Sequence, residues 1–417
     1  MDSIQVQGGT GLQGTVRIQG SKNATLPILA ATLLTGDESY IGNCPRITDV
    51  YHMENLLRCL GCKVNWENHG LRIQSSSICE NDMPAEAIKS MRSSVFLLGA
   101  LIGRCGRITL DYPGGCVIGE RPINWHMSAL EQLGVRFYQD ACGLYAVTEG
   151  LHGACIKLPF PSVGVTENVI LAGVMARGQT CIVGAAREPE ITSLCDFLNC
   201  CGARIEGMGT DCIHIWGGRP LHGTRYRMEA DRIVAGTYLF ACIAAGGSCF
   251  LEEAPAHQMA AVIHVAEQMG AWCDISPKGI FVQALKKHPV LNHLSTAPYP
   301  GFPTDLQSVV LSVLTANEGE CLVEERIFEN RFRIVEELQK MGASIQILDR
   351  HRVLVKGGSI LQGTHVEAKE LRGGAALVVA GLMAEGNTVI EGKKYIYRGY
   401  ENICRDLQEL GARIVSV

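Results

Sequence analysis

Leu60-Gly61-Cys62-Lys63-Val64 is the first of six versions of one phrase. The others are Leu133-Gly134-Val135-Arg136-Phe137, Cys201-Gly202-Ala203-Arg204-Ile205, Met269-Gly270-Ala271-Trp272-Cys273, Met341-Gly342-Ala343-Ser344-Ile345 and Leu410-Gly411-Ala412-Arg413-Ile414. Successive glycines stand between 68 and 73 residues apart. Each phrase closes a segment with one apolar face and opens a β-prone one. Glycine just past a helix takes the left-handed backbone that other residues resist, so each phrase reads as helix stop and strand start. A period near 70 residues, met six times, makes this a repeat protein.

The grammar upstream is also shared. A nearly all-apolar segment ending near glycine reads as a helix at 25–36, 93–103, 167–178, 233–246, 306–319 and 374–386. Short strands follow at 39–41, 107–110, 180–183, 248–251, 320–323 and 388–390. Helices apolar all round must be buried, while the second, amphipathic helices lie nearer solvent. The expected fold is therefore α/β in an inverted arrangement: six repeats of a βαβαββ-like unit, central helices surrounded by sheets. A solenoid is the alternative that repeats alone leave open. Six units divide into two domains of three, 22–229 and 230–417. The strand-like segment 4–18 precedes the first helix as equivalent segments precede the others. Residues 1–21 are expected to cross and complete the second domain.

Length supports two cores rather than one, since 417 residues exceed a single ordinary domain. A net charge of −5 with 19% charged residues gives no broad basic field for nucleic acid. Apolar runs such as 375–384 are about half the ~20 residues that a membrane span needs. Met1-Asp2-Ser3-Ile4 starts neither basic nor apolar, so no signal peptide is expected. Eighteen cysteines scattered through apolar segments are then expected reduced and buried, in a cytoplasmic protein. Cys59-Leu60-Gly61-Cys62 has metal-site spacing but no second pair, and Gly61 already has its helix-stop role.

The starts of the buried helices carry charge against expectation. Ser21-Lys22-Asn23, Met91-Arg92-Ser93, Asp231-Arg232 and Glu370-Leu371-Arg372 put a cation where the helix dipole is already positive, a placement disfavoured by about 0.3–1 kcal/mol. Arg46, Arg121, Arg331 and Arg398 fall near the starts of the second helices. Recurrence at equivalent places points to converging ends and an anion site; surface salt bridges are the plainer alternative. Asp305, in Gly301-Phe302-Pro303-Thr304-Asp305, is the acid in this field. It reads either as a helix cap or as an ionised acceptor for a substrate hydroxyl. Pro113-Gly114-Gly115-Cys116-Val117-Ile118-Gly119-Glu120-Arg121-Pro122 is a loop with a central thiol. A cation and a helix start beside it would favour thiolate or a general acid; a turn with a spare cysteine is the alternative.

These motifs resemble the enolpyruvyl transferases, and among them the branch acting on UDP-N-acetylglucosamine in peptidoglycan synthesis. The resemblance rests on Gly20–Ala24, Met91–Ser94, Pro113–Cys116, Ile118–Pro122, Ser162–Gly164, Pro303–Gln307, Phe328–Phe332, Leu371–Gly374 and Arg398–Tyr400, in family order along the whole chain. The segment that marks the shikimate branch before the arginine of the second helix is absent from 84–90. The resemblance implies a two-domain inside-out α/β barrel, a site in the cleft between the two domains, no metal and no organic cofactor. It implies that Lys22, Arg121 and Arg398 hold phosphoenolpyruvate, with Asn23 beside it and Arg331 and Arg372 assisting. Arg92, Arg121, Pro122, Ile123, Asn124, Trp125, Ser162, Val163, Gly164, Asp305 and Ile327 would line the nucleotide-sugar site. Asp305 would take or orient the sugar hydroxyl proton. Cys116 would be the general acid and would react with the epoxide antibiotic fosfomycin, on a lid at 111–121. Three positions depart from the family pattern: Asn124-Trp125 for Asp-Leu, Glu370 for Asp, and Tyr397 for the Asp before Arg398. A catalytically silent or acceptor-shifted paralogue that binds a nucleotide sugar is the alternative.

Overall fold

All six phrase glycines adopt positive φ: Gly61 92°, Gly134 94°, Gly202 100°, Gly270 89°, Gly342 97° and Gly411 87°. Each follows the last turn of a helix and hands the chain to a strand, as the phrase predicts. The computed structural model describes residues 2–76, 78, 94–110, 123–140, 143–284 and 289–417. Among them the chain divides into two compact units, one of residues 2–19 and 230–417, the other of residues 20–229.

In the 20–229 unit the helices Lys22–Thr35, Ser94–Cys105 and Val163–Gly173 pack on one another. Every residue from Ala24 to Thr35 is buried. The helix carries no polar stripe because none of its faces meets water. The other unit repeats the plan with Arg232–Ala245, Thr304–Leu314 and Leu371–Met383. The helices begin one to four residues before the apolar runs that predict them, except Ser94–Cys105. These polar first turns hold the charged residues of interest.

Outside each buried helix lies a small sheet of fixed plan. Cys155–Lys157 runs parallel to Gln179–Val183, which pairs antiparallel with Cys212–Trp216, which pairs antiparallel with Ile205–Glu206. The same order is kept in five sheets; the sixth shows three strands, Arg107–Leu110, Gly143–Val147 and Arg136–Asp140, among the described residues. No strand pairing joins one sheet to the next among these residues. The helices are enclosed by separate sheets whose apolar faces pack on them, and not by a closed hydrogen-bonded barrel. Each unit has its own hydrophobic core.

The expected segment 4–18 is two strands. Ser3–Gln7 sits between Asn387–Glu391 and Arg413–Ser416. Leu12–Arg17 runs parallel to Gly247–Glu252. Both therefore belong with residues 230–417. In return Arg225–Arg227 runs parallel to Glu38–Gly42 and completes the first sheet of the 20–229 unit. The backbone N–H of Ser21 donates to Glu229 O at 2.9 Å, and that of Asp231 to Gln19 O at 2.8 Å.

None of the fifteen described cysteines is in a disulfide with another of them, and eight are buried. Cys59, Cys155 and Cys200 are exposed, and four more are half-buried. The expectation of general burial fails because several cysteines occupy outward positions of strands and helix ends. No helix among the described residues is long and apolar enough to cross a membrane.

Candidate active site

In the unit of residues 230–417, three helix starts present charge. Asp231 caps Arg232–Ala245, accepting from the N–H groups of Ile233 at 2.8 Å and Val234 at 3.1 Å. Arg232, first in that helix, is 8% exposed and lies over the Tyr299 ring at 5.7 Å. Glu370 caps Leu371–Met383, accepting from the N–H of Arg372 at 2.7 Å and from that of Gly373. The longer glutamate thus performs a capping role at the position where the resemblance implies aspartate.

Asp305 is not a cap. Its helix starts at Thr304 with Pro303 in the cap position, so Asp305 stands inside the first turn. Its carboxylate bridges two guanidinium groups: Oδ1 accepts from Arg331 Nη2 and Oδ2 from Arg372 Nη2, both at 2.8 Å. Arg331 and Arg372 are each 4% exposed, whereas the Asp305 side chain is 22% exposed. One carboxylate therefore serves two buried cations and keeps an open side. Burial opposes the charge of Arg372, but Asp305, Tyr400 and Asp231 together outweigh it and the guanidinium is held more firmly protonated than usual. Arg331 Nε is buried with no hydrogen-bond partner. Arg331 also lies against the Phe328 ring at 5.2 Å.

The loop carrying these groups is pinned by Glu325, which is fully buried. One carboxylate oxygen accepts from Thr296 Oγ1 at 2.9 Å and from the N–H groups of Ile327 at 2.8 Å and Phe328 at 3.2 Å. The other accepts from Thr304 Oγ1 at 2.8 Å. Glu325 thereby ties Ile327 and the approach to Arg331 onto the start of the Asp305 helix. Arg398 is half-buried in the turn after Lys393–Ile396. Tyr397, the departure beside it, has its phenol pushed up by burial.

In the 20–229 unit, Lys22 opens its helix after the Ser21 cap. Lys22 Nζ meets Asp49 Oδ2 at 3.3 Å, and Asn23 Nδ2 donates to Glu190 Oε1 at 3.5 Å. Glu167 is 1% exposed, with Oε2 unpartnered. Burial first, then the charges of Glu190 and Glu188, push its carboxyl well above the ordinary range. Val163 opens Val163–Gly173 after Ser162, whose side chain makes no cap bond. Gly164 faces the His126 imidazole, which would stand 3.2 Å from a Cβ there. Asn168 holds this corner, donating to Gly164 O at 3.1 Å with His126 Nδ1 at 3.0 Å.

Ile123 precedes the helix Asn124–Glu131, on which Asn124 and Trp125 are exposed. The Trp125 ring is 6.3 Å from that of Phe160. Trp125, Ser128, Gln132, Lys157, Phe160 and Ser162 line one open depression. Arg92, Cys116, Arg121, Pro122 and the rest of the 111–121 loop lie outside the described residues.

The structure therefore groups Asp305, Arg331, Arg372 and Ile327 in one unit, and Lys22 and Asn23 in the other. Trp125 and Ser162 meet at a second place in the latter. The sequence reading missed Glu325, Glu190, Asp49 and Glu167. Asp49 and Glu190 read locally as ordinary first-turn acids. Glu325 has no local signature, because its hydroxyl partners are 21 and 29 residues away. Fixed guanidinium groups, an oriented carboxylate and helix N-termini suit an oxyanion reactant and an alcohol.

Residues 6–407 match the sequence profile of the family described as EPSP synthase (3-phosphoshikimate 1-carboxyvinyltransferase). Among curated relatives, UDP-N-acetylglucosamine 1-carboxyvinyltransferase 2 of Caldanaerobacter subterraneus subsp. tengcongensis is 42% identical over 417 residues, covering 100% of both chains. The UDP-N-acetylglucosamine 1-carboxyvinyltransferase of Oleidesulfovibrio alaskensis is 41% identical with the same coverage. In fold, the chain resembles the enolpyruvyl transferase NikO from Streptomyces tendae, with a TM-score of 0.90 at 23% identity over 100% of this chain and 98% of that one. It also resembles EPSP synthase from Acinetobacter baumannii, with a TM-score of 0.75 at 17% identity over 100% of both. The chain belongs to the EPSP synthase (3-phosphoshikimate 1-carboxyvinyltransferase) family, the enolpyruvyl transferases.

Proposed function

We propose that the chain transfers the enolpyruvyl group of phosphoenolpyruvate to the 3-hydroxyl of UDP-N-acetylglucosamine and releases phosphate, the first committed step of peptidoglycan synthesis, in the cytoplasm. The observation that carries the reading is the Asp305 carboxylate bridged by buried Arg331 and Arg372. The names of full-length relatives at about 41–42% identity support it.

The reaction adds the sugar oxygen to C2 of phosphoenolpyruvate while C3 gains a proton. It then expels phosphate from C2 as C3 gives up a proton. Lys22, Arg121 and Arg398 hold the phosphoenolpyruvate anion, with Asn23, Arg331 and Arg372 assisting. Fixed cations stabilise the phosphate as it departs. With both oxygens held by guanidinium groups, Asp305 is a weak base before substrate arrives. An incoming anion competes for Arg331 and Arg372, frees a carboxylate oxygen and lets Asp305 orient the 3-hydroxyl and accept its proton. Cys116 supplies the proton to C3 and is the site of fosfomycin attack. Arg92, Arg121–Trp125, Ser162–Gly164 and Ile327 receive the nucleotide sugar, with Trp125 and Phe160 offering aromatic faces to the base.

Phosphate release from phosphoenolpyruvate tests the proposal, with UDP-N-acetylglucosamine, UDP-N-acetylgalactosamine or shikimate 3-phosphate as acceptor. Release with the first acceptor alone, abolished by fosfomycin, is the expected outcome. Silence of a folded protein with every acceptor would overturn it. Cys116→Asp is expected to retain turnover and lose fosfomycin sensitivity, since a carboxylic acid also donates a proton.

A further inference from the structure

On the outer face of the sheet containing Gln179–Val183, four thiol and imidazole side chains stand side by side. Cys181 is directly opposite Cys155 on one neighbouring strand and His214 on the other. Cys212 is two residues before His214, so it shares that face. The alternate residues Ile156, Ile182, Ile213 and Ile215 are fully buried on the inner face and fix the register. Cys181 Sγ is 3.7 Å from Cys212 Sγ, and Cys212 Sγ is 3.5 Å from His214 Nε2. The ligand atoms of Cys181, Cys212 and His214 all lie within 4.8 Å of one another, the one such cluster among the described residues.

These separations have a specific meaning. Zinc bonds of about 2.3 Å to sulfur and about 2.0–2.1 Å to nitrogen, at tetrahedral angles, place two sulfurs about 3.8 Å apart and a sulfur and nitrogen about 3.5 Å apart. Both separations are already present here without an ion holding them. His214 turns Nε2 to the thiols, so this is the ring nitrogen that would bond the ion.

We propose that Cys181, Cys212 and His214, with Cys155 as the fourth ligand, form a binding site for a thiophilic d10 cation, zinc in the first instance. The site stands apart from the groups assigned above to enolpyruvyl transfer. Binding replaces the three thiol protons by the ion and releases them to water. The ion would tie together three strands, Cys155–Lys157, Gln179–Val183 and Cys212–Trp216, and would stabilise the native chain by binding it in preference to the unfolded one.

The test uses the full-length protein carrying Cys116→Ser, so that the loop thiol cannot contribute, kept in a non-thiol reductant. Zinc is titrated against a chromophoric chelator, and cobalt is used as a spectroscopic stand-in. One zinc per chain is expected, together with the thiolate-to-cobalt charge-transfer band and the visible bands of tetrahedral cobalt. Cys181→Ser, Cys212→Ser and His214→Ala should each weaken binding by more than about 100-fold, beyond the 10–100-fold typical of outer-shell changes. Cys155→Ser should weaken it at least tenfold, and Cys200→Ser should bind as the parent does. His214→Cys should restore binding and intensify the charge-transfer band, which keeps the proposal testable if the alanine variant folds poorly. Zinc should raise the Tm of the parent and leave that of Cys212→Ser unmoved. Equal binding by parent and Cys212→Ser, or cobalt spectra without a thiolate band, would overturn the proposal.

Discussion

Asp305 holds two buried cations at 2.8 Å, while the next carboxylate oxygen to Arg331, on Glu370, stands at 4.0 Å. Removing it as Asp305→Ala leaves Arg331 and Arg372 buried without their shared counter-charge, and loss of one member of such a pair typically costs about 3–5 kcal/mol. Urea unfolding should register that loss. Asp305→Asn keeps the shape and should lower kcat by about 100-fold or more, the scale of lost acid–base catalysis. Steady-state kinetics provides the check, since an effect confined to KM would make Asp305 a binding residue only. Glu167 gives a pH signature. Its folded carboxyl titrates well above the ordinary 4.5, so between those two values the native state binds a proton that the unfolded state has lost. Its contribution therefore falls as pH rises. Glu167→Gln should gain stability relative to the parent as pH rises above the ordinary 4.5, measured by denaturant titration across a pH series. A constant difference across that range would show that Glu167 does not titrate there.

At the level of elements, close approach of the buried helices decides stability. A Cβ on Gly99 would lie 2.4 Å from Asn168 O and 2.9 Å from Asn168 Oδ1. The Gly99 N–H donates to that same Oδ1 at 2.6 Å. Gly99→Ala must therefore push Ser94–Cys105 away from Val163–Gly173, and about 1–3 kcal/mol of destabilisation is expected. Gly103→Ala, facing the flexible Met175 side chain with Cγ at 3.1 Å, should cost less. Thermal unfolding of the two variants compares them directly. The helices were legible from sequence because burial on all sides leaves an unbroken apolar run. Their first turns were less so, since Asp305 in a Pro-Thr-Asp start looks like a cap and only the distant Arg331 and Arg372 turn it elsewhere. Glu325 was invisible for the same reason, its role being defined by residues remote in sequence. Glu325→Ala should raise KM for the nucleotide sugar as the Ile327 loop loosens, whereas Glu325→Gln should recover part of that loss; KM measurements on both variants check this.

For the molecule as a whole, the repeats were read from glycine spacing and the six open sheets bear that grammar out. The sequence led residues 1–21 to be expected with the second domain, but spacing does not record which strand each joins, so the partnering of Leu12–Arg17 with Gly247–Glu252 and of Arg225–Arg227 with Glu38–Gly42 emerges only from the pairing. Deleting residues 1–19 removes Ile4, Val6, Leu12, Val16 and Ile18, each at most 1% exposed, from one hydrophobic core. Hydrogen exchange should then speed up throughout residues 230–417 and stay slow in the helices of residues 20–229. Uniform acceleration in both units would show that they do not unfold separately.

The early strands also have a consequence for biosynthesis. Ser3–Gln7 and Leu12–Arg17 leave the ribosome long before the strands they pair with: Gly247–Glu252 is translated more than two hundred residues after Leu12–Arg17, and Asn387–Glu391 later still. At about 5–20 residues per second that delay is on the order of ten seconds or more. During it, residues 20–229 have all their own strands and can fold, while the nascent amino-terminal segment stays unpaired and open to chaperones.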